Sequence, residues 1–276
     1  MSVKIHMLVT ANDAITADSR HELLGVDLRA DADKRPFGWA EDLSFGAERG
    51  PGIQSPVTMF YIEGTDQRIL VDTGYDATDE SELGAAAAFR RRGIDAWIES
   101  RDEWTVEAQL AKVGVRPEQI DLVLHTHLHF DHIGHNKLFP KATFVAQESE
   151  FAWATNTPDW APFYFSEFAN KVLDVRERLE LIDGETRVNK HVSLVRLGGH
   201  TPGSQVVLVE TDQGRVCLAG DLAYYYRNLE LSWPGGVFFD LPAVIRAFGW
   251  MKNNADIIVP MHDWKFMELY PEGFVG

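Results

Sequence analysis

The stretch His125-Thr126-His127-Leu128-His129-Phe130-Asp131-His132-Ile133-Gly134-His135 constrains the fold of this 276-residue chain more than any other. Four histidines and one carboxylate fall within the eight residues His125 to His132, directly after an apolar run that reads as a buried strand over Gln119–His125. Crowding so many protonatable groups together without a cation would cost desolvation and, once charged, mutual repulsion. Imidazole nitrogen and carboxylate oxygen suit borderline divalent metals such as zinc, iron and manganese. If the strand direction continues, His127 and His129 lie on one side. Asp131 and His132 are neighbours, so they point apart and require a turn. The spacing lets the first pair grip one ion and the second pair a neighbouring one. A lone histidine is more often a hydrogen-bonded structural residue, so the argument rests on the set.

Further ligand-type residues stand just past other apolar strands, where loops present functional groups at the rim of a sheet. His200 follows the strand His191–Leu197 within Gly198-Gly199-His200-Thr201-Pro202-Gly203. Asp221 follows Arg215–Ala219, and His262 follows Asp256–Pro260. Other strands are expected at Val3–Thr10, Pro56–Glu63, Gln67–Asp72, Thr143–Ala146 and Gln205–Glu210. Helices are expected at Glu80–Arg92, Thr105–Val113 with Thr105 as N-cap, Phe163–Leu181, and Pro242–Asn253 with proline in its first turn. Ala11–Pro51 reads as irregular. Strands and helices come in two groups, roughly 1–180 and 181–276, with no sharp linker. We therefore read residues 1–276 as a single α/β domain whose halves each supply a sheet.

Composition narrows the function classes. With 26 basic and 42 acidic side chains the formal charge is −16. That disfavours nucleic acid, whose binding relies on Lys and Arg displacing counterions, and it disfavours an anionic membrane surface. The one cysteine, Cys217, excludes an intrachain disulfide and thiolate zinc clusters, and its apolar strand predicts an inert thiol. The N-terminal MSVKIHMLVTANDA lacks the basic start and apolar core of a signal peptide, and no run of about 18 apolar residues occurs, so the expected location is cytoplasmic.

His127-x-His129-x-Asp131-His132, with His200, Asp221 and His262 further on, resembles the metallo-β-lactamase superfamily. The resemblance covers nearly the whole chain. It implies an αββα sandwich of two mixed sheets flanked by helices, with a dinuclear metal site at one edge. Carried over residue by residue, it implies His127, His129 and His200 on one metal and Asp131, His132 and His262 on the other, with Asp221 bridging. Zinc is the first expectation for the two divalent ions, with iron or manganese as alternatives. Ile69–Gly74 resembles the superfamily's early strand and turn, in which Asp72 would support the site from behind the ligands. Thr126-His-Leu-His-Phe-Asp-His132, Asp221-Leu-Ala-Tyr224 and the closing His262-Asp263 with Phe266 are similar to the N-acyl-homoserine lactonases. In that group a tyrosine three positions after the bridging aspartate contacts the substrate carbonyl, and Tyr224 stands there. Where those lactonases commonly carry Gly-Gly-Asn, this chain has Gly134-His135-Asn136.

The activity implied is opening of a neutral lactone ring by a hydroxide held between two metals. Tyr224 would donate to the developing oxyanion, and Asp131 or Asp221 would help protonate the leaving alkoxide. The competing expectations are a thioester hydrolase of the glyoxalase II kind, another small-molecule ester or amide hydrolase, and a non-catalytic metal-binding module. Seven candidate ligands for two metals leave room for water, which favours catalysis. A monomer or homodimer is expected. Phe151, Trp153, Trp160, Phe163, Tyr164, Phe165 and Phe168 divide between packing a helix and lining a pocket.

Overall fold

The computed structural model describes residues 2–15, 53–78, 97–156 and 171–276. The first sheet contains β1 (Lys4–Ile15), β2 (Ile53–Glu63), β3 (Ile69–Val71), β4 (Trp97–Glu99), β5 (Leu122–Leu124), β6 (Thr143–Gln147) and β7 (Leu179–Ile182). The second runs β12-β11-β10-β9-β8, from β8 (Glu185–Arg187), β9 (Val192–Arg196), β10 (Gln205–Thr211), β11 (Gly214–Leu218) and β12 (Ile257–Val259). A last strand, β13 (Phe274–Val275), returns to the first sheet beside β1. Both sheets are mixed: β3, β5, β6 and β7 are parallel neighbours, as are β11 and β12, whereas the other pairings are antiparallel.

The strands are short apolar runs because both faces of each sheet are covered. Successive side chains alternate between two cores. Ile69 and Val71, Leu122 and Leu124, Val207 and Val209, and Val216 and Leu218 meet between the sheets. Leu70, Val123 and Phe144 face outward under the helix α1 (Val106–Lys112), joined there by Val106 and Leu110. Val206, Leu208 and Cys217 face outward on the other side. There they meet Val244, Ala247, Phe248 and Met251, the helically spaced face of a later helix over Leu241–Asn254. The order is helix, sheet, sheet, helix. Phe248 is fully buried in that outer layer, and truncating such a residue to alanine costs about 3–5 kcal/mol.

Local signals set the helix starts. Thr105 accepts a hydrogen bond from the Ala108 amide at 3.3 Å, as its N-cap position requires. Asp240 does the same for Ala243 at 3.0 Å ahead of the Leu241–Asn254 helix. Three further helices, α2 (Glu148–Thr155), α3 (Tyr226–Leu231) and α5 (Lys265–Leu269), bracket that one, which is α4.

The structure corrects the sequence reading in places. Leu179–Ile182 is not the end of a helix. It is a strand paired in parallel with β6 through Phe144↔Leu179 to Gln147↔Ile182. Leu179 and Leu181, two apart, fit strand alternation as well as they fit a helical face, and the open edge of β6 decides between them. Ala11–Ile15 is not irregular, since β1 continues through it after a register shift between Val9 and Ala11. Helix α2 was not anticipated. The expected helix over Glu80–Arg92, residues 16–51 of the irregular segment, and Trp160, Phe163, Tyr164, Phe165 and Phe168 lie outside the described residues. Among the described residues no helix is long and apolar enough to cross a membrane.

Candidate metal centre

Parallel β11 and β12, with β9 running in the same direction two strands away, bring three chain ends of the second sheet to one edge. His200, Asp221 and His262 stand on the loops beyond those ends. The first sheet brings the ends of β3 and β5 to the same place, with Asp72 on one and His127 to His132 on the other. Gly220 has φ +55°, and a Cβ there would lie 3.0 Å from the Thr126 Cβ, so the turn carrying Asp221 packs closely on the turn carrying His127.

Two groups of potential ligand atoms result: His127, His129, His200 and Asp221, and Asp131, His132, Asp221 and His262, the atoms of each lying within 4.8 Å of one another. In the first, His129 Nδ1 is 2.9 Å from His127 Nε2 and 2.9 Å from His200 Nε2, and the latter two nitrogens are 3.2 Å apart. Asp221 shares itself between the groups. Its Oδ2 is 3.5 Å from His200 Nε2 and 3.8 Å from His127 Nε2. Its Oδ1 is 3.0 Å from His262 Nε2 and 3.2 Å from His132 Nε2. Asp131 Oδ2 completes the second group at 3.7 Å from His132 Nε2 and 3.8 Å from His262 Nε2.

Hydrogen bonds behind the rings fix the tautomers. His200 Nδ1 donates to the Val237 carbonyl at 2.9 Å, and His262 Nδ1 donates to the Pro56 carbonyl at 3.0 Å. His132 Nδ1 donates to Asp72 at 2.8 Å. Thr126 donates its amide and its hydroxyl to the two Asp72 oxygens at 2.8 and 2.7 Å, so its own oxygen accepts from His127 Nδ1 at 3.1 Å. His127 and His200 therefore each turn a bare Nε2 lone pair inward, whereas the Nε2 atoms of His132 and His262 face the Asp221 carboxylate. His127 Nε2 and His200 Nε2 face each other in a dry site with no proton to share, which is unfavourable unless a cation lies among them. The donor set fits a pair of divalent cations on this ground.

The electrostatics agree. Burial, with His132 and the neighbouring imidazoles adding to it, pushes His127 well below the usual imidazole range. Burial and His200 do the same to His129, and burial lowers His200. Burial opposes charge on His132 and His262 as well, but the attraction of Asp221 and Asp131 prevails, raising His132 well above that range and His262 above it. Asp221 is held well below the usual carboxylate range because His262, His132 and His127 outweigh the effect of its burial.

Asp72 is fully buried with φ +58°, a left-handed conformation that aspartate tolerates better than most residues. It is a turn residue and also the acceptor that orients His132 and, through Thr126, His127. Tyr224 Oη lies 3.3 Å from His200 Nδ1, and its ring stacks on His262 at 5.6 Å between centroids. Burial, together with Asp221 and Asp131, raises its pKa well above the usual phenol range, so it is a neutral donor at pH 7.

Other sequence candidates go elsewhere. His135 turns to the Thr73 carbonyl at 2.9 Å, and His125 stacks on Phe144; neither joins a ligand group. Trp153 packs against Phe239 at 5.1 Å, and Phe151 packs beside the outer core of the first sheet. Burial pushes the Cys217 thiol up, which leaves it unreactive. Sequence reasoning missed Glu150, a buried carboxylate three residues past β6. Its position after a buried strand is the same signal that marked His200 and Asp221.

Residues 52–262 match the family model of the metallo-beta-lactamase superfamily, and the chain belongs to that superfamily. Within it, an N-acyl homoserine lactonase from Bacillus thuringiensis is 28% identical over 232 residues, covering 81% of this chain and 88% of that protein. One from Bacillus cereus is 30% identical over 185 residues, covering 66% and 70%. Among solved structures, an N-acyl homoserine lactone hydrolase with the product N-hexanoyl-L-homoserine at its catalytic metal centre superposes with a TM-score of 0.71 at 22% identity, covering both chains in full. The dizinc quorum-quenching lactonase AidC superposes with a TM-score of 0.66 at 17% identity, covering 95% of this chain and 88% of that one.

Proposed function

We propose that this protein is a metal-dependent hydrolase that opens the ring of an N-acyl-homoserine lactone or a related lactone, and so acts as a quorum-quenching enzyme. The observation that carries the reading is Asp221, which turns one oxygen to each ligand group beside the hydroxyl of Tyr224. The lactonases that align with most of this chain support the substrate class. His127, His129 and His200 would hold one ion, Asp131, His132 and His262 the other, and Asp221 both. Two divalent ions bound there supply Lewis acidity and water ionised near neutral pH.

The chain's own groups do the rest. Tyr224, kept protonated, donates to the lactone carbonyl oxygen as negative charge develops on it. Asp131 is the most exposed of the ligand-type residues, at 17% of its side chain, and so is open to an incoming lactone. Asp131 or Asp221 would accept the proton released by the attacking water and pass it to the departing alkoxide, and the product is a hydroxy acid. We take residues 1–276 as one domain, zinc as the first metal on its imidazole-rich donors, and the cytoplasm as the compartment. The acidic surface suits a neutral substrate.

The test is turnover of a panel of lactones, thioesters and β-lactams, with metal analysis of the same preparation. Lactone hydrolysis with about two metals per chain is expected. Thioester turnover without lactone turnover would overturn the reading in favour of a thioesterase. Tyr224→Phe should lower the lactonase rate by about 100-fold with metal retained; an unchanged rate across lactones removes the oxyanion role.

A further inference from the structure

The imidazoles of the first group come from separate sheets, and a buried carboxylate bonds to both of their loops, beside Gln205, whose amides reach the His125 and Thr126 carbonyls. Glu150, 1% exposed, projects from the first turn of α2. Its Oε1 accepts from the amide of Leu128, the residue between His127 and His129, at 3.0 Å. Its Oε2 accepts from the Thr201 hydroxyl at 2.6 Å and from the Gly203 amide at 2.9 Å. Thr201 follows His200 directly. The turn it begins is closed on itself, because the Thr201 amide donates to Ser204 Oγ at 2.9 Å. A Cβ on Gly203 would sit 2.5 Å from the Glu150 amide nitrogen, so only glycine lets the turn come this close.

We propose that Glu150 is a positioning residue for the ion held by His127, His129 and His200. This rests on reading those histidines as ligands of one ion. The carboxylate sets the separation between the His127–His129 loop and the His200 turn, and with it the distance between nitrogens that no peptide segment joins. All three donors point at oxygen. A glutamine must turn its NH2 toward at least one of them, replacing attraction by a clash of donors inside a dry site. The second group has no ligand adjoining this clamp on its sheet-two side, since His262 is anchored on Pro56 instead.

Metal-free wild type, Glu150→Gln and Thr201→Val are titrated with Co2+ alone against a competing chelator, reading visible absorption and equivalents bound, with melting of each metal-free protein alongside. Wild type should take two equivalents. Glu150→Gln should weaken one of them by about 10- to 100-fold and leave the other unchanged. The equivalent that remains in a His262→Ala background should be the weakened one. Thr201→Val, which removes one donor without changing shape, should weaken the same equivalent by a smaller factor. It decides the matter if Glu150→Gln fails to fold. A lower melting temperature with both equivalents bound at wild-type affinity would make Glu150 a packing residue and overturn the proposal. Failure of the wild type itself to take up metal is a separate result, which removes the ligand reading and the proposal with it.

Discussion

The two ligand groups lie side by side and share Asp221, yet they differ in charge and in access. The first offers three imidazoles that burial drives toward neutrality, and its members are all buried. The second pairs two imidazoles with two carboxylates, and its Asp131 is partly open to solvent. In the absence of metal the carboxylates pull protons onto His132 and His262. The first group is thus ready for a cation, whereas the second holds protons in a cation's place. Having the same types of donor does not make two sites equivalent; the carboxylate count decides what competes for them.

Removing the shared residue should erase the distinction. Asp221→Ala takes the anion from both groups, so both equivalents of metal should be lost and lactone hydrolysis should fall by on the order of a thousandfold or more, measured by metal analysis and turnover. Retention of both metals would show that the groups are independent.

Asp72→Asn sharpens the contrast. Asparagine tolerates the left-handed backbone but cannot accept from both His132 and Thr126 as the carboxylate does. The metal equivalent on His132 should weaken by about 10- to 100-fold, more than the one on His127, which Asp72 reaches only through Thr126. Equal weakening in a chelator competition would remove that distinction.

Acidity should separate the groups without mutation. Asp221 and Asp131 raise His132 and His262 above the usual imidazole range, so metal must displace their protons, and the second equivalent should weaken as pH falls, by up to about tenfold per unit for each proton displaced. The first-group imidazoles titrate below 6.5, so that equivalent should weaken only below that pH. The stability of the metal-free protein follows the same signs. Raised His132 and His262 contribute stability that is complete below pH 6.5 and is lost as pH rises through their folded values. Depressed His127, His129 and His200 contribute stability that is present above pH 6.5 and is lost as pH falls below it. Melting of the metal-free protein across this range checks both.

Much of this was legible in the sequence because the candidate ligands stand just past strand ends. Leu122–Leu124, Gly214–Leu218 and Ile257–Val259 are short apolar runs, and a His or Asp just past each one stands out. The alternation of Ile69, Leu70 and Val71 between two cores is equally local. What could not be read locally was settled by distant partners. Leu179–Ile182 becomes a strand because β6 has an open edge 32 or more residues earlier in the chain. The carbonyls of Pro56 and Val237, which set the tautomers of His262 and His200, are backbone groups that any residue would supply. Glu150 is one of many glutamates until the Thr201 turn closes on it.

The bonds that assemble the centre join residues far apart along the chain: Asp72 to Thr126 across 54 positions, His129 to His200 across 71, and Pro56 to His262 across 206. Closing such loops costs entropy before any contact returns it. An ion that meets the nascent chain finds only the local run from His127 to His132. The complete set exists once both sheets have docked. Metal bound to the complete set would favour the native state by mass action, so the melting temperature should rise with free metal concentration.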